Sequence, residues 1–302
     1  MPAAEVATHD GLRSRKHRSY LATPGCRRQC NTKDSKNHTA LFYAIRPGSE
    51  LDILGCMETA EAFTDASDVF LLAAELGLYR VVSSCVGFRA PVDGMPLLVD
   101  YEDSKDRSTA LHKSCANGHR QTADLLLKSR AIVDARNEDE ETALALAAEA
   151  GKSEIINSLL AYGVDPRLLI GGQTIVIKMA CSSGEDSLKH VEVVTMLLGV
   201  GVDVNAVDGS RHPALIWAVI KGKLEITRAL MREPNADSNI TSSFRWNTLH
   251  HLAQYREKIS RMIAELLITA GTDPMGLDVD DWLPHYLAAY IGIKTSAAHE
   301  GN

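Results

Sequence analysis

An all-α solenoid of stacked helix-turn-helix units joined by hairpin-like loops is the fold class this sequence predicts. Three observations predict it. A ten-residue pattern, "TALHKSCANG" from Thr109, returns at Thr142 as "TALALAAEAG", 33 residues on. A second pattern, with paired apolar residues, a glycine and an Asp/Asn-rich exit, follows each copy: "INSLLAYGVDP", "VVTMLLGVGVDVNA", "AELLITAGTDP". Glycines stand where the short and the long helix of each unit must end (Gly118, Gly151, Gly222; Gly163, Gly201, Gly271). A fixed period of this size marks a stacked array, because one helix pair cannot bury its apolar face alone.

Taken in order, residues 1–37 carry eight Lys/Arg (Arg13, Arg15, Lys16, Arg18, Arg27, Arg28, Lys33, Lys36) against Glu5, Asp10 and Asp34. They are expected to form a basic, disordered segment. Residues 38–103 are expected to hold two degenerate units, "HTALFYAIRPGS" and "SDVFLLAAELGLYRVV". The strong units, with an atypical C-terminal cap, occupy residues 104–293, and 294–302 read as a flexible tail. Their first helices start after Thr109, Thr142, Thr174, Pro213, Asn247 and Leu283. The widest gap, between Thr174 and Pro213, contains the extra stretch "SGEDSLK". Such an insertion is tolerable, since doubling a loop's length costs only about 0.6 kcal/mol. Thr109 and Thr142 can cap their helices through their hydroxyls. The glycines supply left-handed backbone at helix ends. Asn235 is expected to replace glycine in the fourth strong unit, and Arg130 in the first, where it should carry strain.

These stretches ("TALHKSCANGH", "TALALAAEAGK", "HVEVVTMLLGVGVDVNA", "NTLHHLA") resemble ankyrin repeats, well from about residue 104 to 274 and more weakly at either end. The resemblance implies a non-enzymatic interaction module, an intracellular adaptor or scaffold. Its partner would be another protein, bound along the concave face and the loop tips. It also implies that the histidine of each T-x-L-H motif, His112 and His250 here, ties its turn to a neighbour. The implied variable sites include Lys105, Glu138, Asp139 and Glu141, then Phe244, Trp246, Tyr255 and Trp282. In a chain only 5% aromatic, the last four stand out. They read either as interface anchors or as a seal on the end of the core. Glu138 to Glu141 read as a tip suited to a basic partner or as a solvated turn.

The chemical alternatives are thinner. His112, Cys115 and His119 form a Cys–His cluster, but Gly118 ends the helix and turns His119 elsewhere, so structural histidines and a buried thiol are expected. His251, one residue beyond the motif, is expected to be half-exposed. "CRRQC" (Cys26, Cys30) lacks a second ligand pair at zinc spacing. "GLDVDDW" lacks the EF-hand Gly and Glu and reads as an acidic loop. There is no G-x-G-x-x-G, P-loop or G-x-S-x-G. No enzyme, cofactor or metal is expected.

The 302 residues are 45% hydrophobic with net charge −7. The basic first segment therefore leaves an acidic remainder of about −12, which argues against nucleic acid as a partner. No apolar run predicts a transmembrane helix. No apolar leader is seen, and six scattered cysteines fit a reduced chain. A cytoplasmic protein is expected, with the nucleus open through "RSRKHR". Two rival readings remain: an accessory or catalytic protein of a metabolic pathway, using His250, His251, Tyr255 and His285, and a nuclear regulator acting through the basic segment.

Overall fold

A computed structural model describes residues 66–87, 98–182, 187–254 and 258–286. The basic segment, the unit at 38–49, Tyr255 and the tail lie outside the described residues. The chain divides into two compact units, Met1–Ala143 and Leu144–Asn302. Among the described residues the regular structure is helical. The exceptions are isolated antiparallel bridges at Ile170–Gln173 and Val207–Pro213. No described helix is long and apolar enough to cross a membrane.

In the first unit, helices α1 (Ala66–Glu75) and α2 (Tyr79–Gly87) form one pair. Helices α3 (Ala110–Asn117) and α4 (Arg120–Lys128) form the next. The two layers stack like on like, α1 against α3 and α2 against α4. The apolar positions of "SDVFLLAAELGLYRVV" turn inward, with Val69, Phe70, Ala73, Ala74, Val81 and Val82 fully buried. Thr109 caps α3 as expected, its hydroxyl accepting from the His112 N–H, and Gly118 ends it at φ +82°. Gly77 turns α1 into α2 at φ +70°, and a side chain there would collide with the ring of His119. Arg130 does adopt a left-handed conformation, φ +64°.

The second unit repeats this plan with α5 (Ala143–Glu149), whose first residue falls at the boundary, and α6 (Ser153–Ala161). Next come α7 (Ile175–Cys181) and α8 (Leu188–Gly199), then α9 (Ala214–Ile220) and α10 (Leu224–Met231). The last pair is α11 (Thr248–Ala253) and α12 (Lys258–Thr269). The short helices α7, α9 and α11 pack in one layer and the long helices α6, α8, α10 and α12 in the other. Ile156, Leu159, Ile177, Val194, Leu197, Ile216, Ile226 and Leu230 fill the space between layers. Asn235 departs from expectation, because it is not among the residues with positive φ. The turn after α10 closes through Arg232 and Glu233 N–H groups instead, and the Asn235 carbonyl accepts from Asn205 Nδ2 at 2.6 Å.

Hydrogen bonds cross from pair to pair at three levels. At the motif level, His112 Nδ1 accepts from the Thr109 N–H at 3.1 Å, so its Nε2–H donates to the carbonyls of Ala135 and Glu141 at 3.0 and 3.1 Å. His250 does the same, accepting from the Asn247 N–H and donating to the Trp282 carbonyl at 3.1 Å. At the entry to the long helices, side chains reach back to the end of an earlier short helix. His119 donates to Glu75 O at 2.8 Å, His190 to Glu149 O at 2.9 Å, and Lys223 Nζ to Met179 O at 2.9 Å. These carbonyls belong to helix ends that have no intrahelical donor. At the exits, Asn205 and Asn239 each bond the backbone of the next exit, near Asp237 and Asp273. That explains why the exits are rich in Asn and Asp.

Lys223 is buried and also donates to the Ser182 hydroxyl at 3.1 Å. Lys223→Ala is expected to lower stability by about 2 kcal/mol, the usual worth of a charged hydrogen bond whose partners stay buried. A urea melt checks this, and an unchanged midpoint would show that the staple contributes nothing.

Candidate functional site

Three loops of the second unit, at 208–212, 242–246 and 278–282, share one construction. The first residue donates its backbone N–H to the carbonyl of the fifth: Asp208 to His212 at 3.1 Å, Ser242 to Trp246 at 2.9 Å, Asp278 to Trp282 at 3.1 Å. The fourth residue must then turn left-handed, and in each loop it is not glycine: Arg211 (φ +62°), Arg245 (+57°) and Asp281 (+57°). In two loops an aspartate holds the turn from inside. Asp208 Oδ1 accepts from the Ser210 and His212 N–H groups, and Oδ2 from the indole of Trp217 at 2.9 Å. Asp278 Oδ1 accepts from Asp280 and Trp282, and Oδ2 from the indole of Trp246 at 3.0 Å. Burial raises both carboxyls, but these N–H donors outweigh it and hold both below their ordinary value. The stretch "GLDVDDW" is therefore only partly an acidic surface: Asp278 is 4% exposed, whereas Asp280 and Asp281 face solvent.

The four sequence-nominated aromatics separate. Phe244 is 63% exposed. Trp246 lies beside it at 6.3 Å but is half-buried, stacked on His250 at 6.4 Å and edge-on to His251 at 5.3 Å. Trp282 is half-buried and gives its carbonyl to His250. Tyr255 lies outside the described residues. Thus Trp246 and Trp282 support the loops, and Phe244 is left presenting its ring. Sequence reasoning missed Val279, 51% exposed, whose N–H donates to Phe244 O at 3.2 Å. It also missed Trp217 and both arginines. The strict spacing of the loop tips to the motif Thr position was the signal available for Arg211 and Arg245.

His251 corrects an expectation: it is 7% exposed, packed edge-on against His212 at 5.0 Å as well as Trp246. Burial, followed by the nearby His212 and His250, pushes its pKa down to about 4. His250 is also buried, while His285 is exposed and rests against Tyr286 at 4.3 Å. Of these three histidines two are buried and one faces solvent. Among the described residues, no group of three or more His, Cys, Asp or Glu is placed to hold a metal ion.

In the first unit the acidic tip is smaller than expected. Glu138 and Asp139 are exposed, and Glu140 (φ +61°) pairs with Arg136 at 3.1 Å. Glu141 is only 9% exposed, because its carboxylate and N–H bond the two ends of the Asn137 amide at 3.2 and 2.8 Å. It is therefore a loop brace and no part of the acidic surface. Lys105 is exposed. Close by, Arg107 pairs with Glu102 at 3.0 Å, and Lys113 with Asp103 at 3.0 Å. Burial pushes the Cys115 thiol up to about 12. With His112 bonded on both ring nitrogens, neither residue is set up as a nucleophile or its base at neutral pH.

A family model described as ankyrin repeats (three copies) matches residues 70–170 and 177–278. Among curated proteins, a Caenorhabditis elegans transient receptor potential cation channel subfamily A member 1 homolog is 32% identical over 154 residues, 50% of this chain and 12% of that protein. The Gallus gallus nuclear factor NF-kappa-B p105 subunit is 27% identical, covering 54% of this chain and 20% of that protein. The chain thus spans a fifth or less of these relatives' length. Among solved structures, the human ASB11 ankyrin repeat domain superposes with TM-score 0.59 at 19% identity, covering 71% of this chain and 89% of that one. The ankyrin repeat domain of Bcl-3, a member of the IkappaB protein family, gives 0.59 at 22%, covering 72% and 92%.

Because the folded state holds His251 neutral, the sign of the pH effect is set. Its contribution is complete above the ordinary pKa of 6.5 and is lost as pH falls toward 4. Up to about 3 kcal/mol is at stake. Melting followed from pH 7 to 4 should show this loss, and His251→Phe should flatten the curve. Trp246→Ala should cost about 3 kcal/mol, since it opens a cavity and removes a donor from Asp278. Phe244→Ala should stay within about 0.5 kcal/mol. Equal losses in urea melts would refute the division between a supporting and a presented ring.

Proposed function

The chain belongs to the ankyrin-repeat family, and from that premise we propose that it is a protein-binding adaptor or scaffold whose partner docks on the hairpin tips at 242–246 and 278–282. Ankyrin repeats are protein interaction modules, and binding in such a fold belongs to surface loops on a rigid stack. The observation that carries the choice of tip is Phe244. Its ring is 63% exposed, whereas its neighbours Trp246 and Trp282 are held in the loop framework. A large aromatic on a rigid, well-braced turn loses little entropy when a partner covers it, the usual character of an interface hot spot. Val279 widens the apolar surface beside it. The two curated relatives contain their matching segments within much longer proteins, which supports reading this fold as a portable binding module.

The test is affinity capture with the full chain, comparing wild type with Phe244→Ala and Val279→Ser, two changes expected to leave the melting curve in place. Partners recovered by wild type should fall at least tenfold with either variant, about 1.4 kcal/mol or more of binding energy. Recovery of the same partners at wild-type level by both variants would show that the tip is not the docking site.

A further inference from the structure

The positions that carry strain are unevenly filled. Five hairpin tips place a charged residue at the left-handed position: Arg107, Glu140, Arg211, Arg245 and Asp281. A residue other than glycine is disfavoured there, and such strain is retained when the side chain serves something else. Two of the five have an internal use, since Arg107 pairs with Glu102 and Glu140 with Arg136. Arg211 and Arg245 have none: both are exposed, and no carboxylate of the described residues pairs with either. They stand on neighbouring tips joined by Ser243 Oγ–H donating to Ser210 O at 3.2 Å, and Phe244 precedes Arg245 directly.

The surrounding charges give this patch a direction. Asp208 shares the tip with Arg211, but its carboxylate is taken up by Ser210, His212 and Trp217. On the other side, the next tip carries exposed Asp280 and Asp281, reached through the Val279–Phe244 backbone bond. From tip to tip the exposed side chains are therefore Arg211, then Phe244 with Arg245, then Asp280 with Asp281, and neither arginine is paired among the described residues.

We infer that the tips at 208–212 and 242–246 recognise an acidic protein segment, with carboxylates paired to Arg211 and Arg245 and an apolar residue against Phe244. Guanidinium groups take carboxylates in two-pronged hydrogen bonds, and arginine is among the residue types enriched at interface hot spots. Asp280 and Asp281 set the polarity of the segment, since they repel acid at the far end. This inference rests on the docking reading above and adds the chemistry of the partner.

The experiment pans a random dodecapeptide display library against the full chain. Peptides selected by wild type are expected to be enriched, relative to the starting library, in Asp and Glu near an apolar residue, and to bind more weakly as salt is added. Arg211→Gly/Arg245→Gly should lower their affinity at least tenfold while leaving the melting temperature equal or higher, because glycine relieves the left-handed backbone. Arg211→Gln/Arg245→Gln, which keeps a side chain at both positions, should lose the same affinity. Asp280→Asn/Asp281→Asn should bind as well as wild type or better. Selected peptides without acidic bias, or affinities unchanged in the two arginine variants, overturn the inference. Peptides that depend on Phe244 but show no acidic bias would leave the docking reading standing and remove only this one. Loss of both dependences removes both. A lower melting temperature for the glycine pair would show that the arginines stabilise their own tips, and would also overturn the argument.

Discussion

Hydrogen bonds reaching from one helix pair to the next govern this architecture. Helices of six to twelve residues are too short to persist alone in water, and each pair buries its apolar stripe only against a neighbour. Packing by itself would leave the relative height of successive pairs weakly specified, because apolar contact has no direction. Directional bonds supply that register. His112 and His250 fasten their short helices to a following hairpin, and His119, His190 and Lys223 fasten three of the long helices to an earlier short one. The carbonyls of Glu75, Glu149 and Met179 lie at helix ends without an intrahelical backbone donor, and that of Trp282 also accepts from the Asp278 N–H.

The same bracing explains how the loops become rigid enough to present side chains. Asp208 and Asp278 each gather two backbone N–H groups and one indole, so their tips are held from within, while the tip at 242–246 is held by backbone bonds of its own and by bonds to the tips on either side. The indoles of Trp217 and Trp246 then lie along the loop base, with His212 and His251 packed edge-on between them. Residues such as Phe244, Arg211 and Arg245 are left with their backbone positions determined and their side chains uncommitted. That combination suits a surface that binds with little ordering cost.

Reading residues by period had clear reach and clear limits. The repeat turned His112, Cys115 and His119 from an apparent reactive cluster into a turn-tying histidine, a buried thiol and a residue beyond the helix end, because the surrounding pattern returns 33 residues on; the bond from His119 to Glu75 O came only from the structure. It failed for Asn235, where the turn after α10 closes by another route. It failed again for Glu141 and His251, placed on the surface by position but drawn inward by local partners, an asparagine amide and two rings. Period tells which way a backbone position faces; it does not tell what the neighbouring unit offers it.

By itself, then, the sequence determined the helix pairs, their caps and glycine turns, the family and the edge on which to look. These follow from local propensity and from repetition, both of which survive without knowledge of contacts. Only the tertiary structure separated Phe244 from Trp246 and Trp282, and the unpaired Arg211 and Arg245 from the paired Arg107. Which aromatic ring is left exposed depends on side chains 30 or more residues apart, such as Asp278 meeting Trp246. Such meetings are set by the height of one pair upon the next, and no single unit of the sequence encodes it.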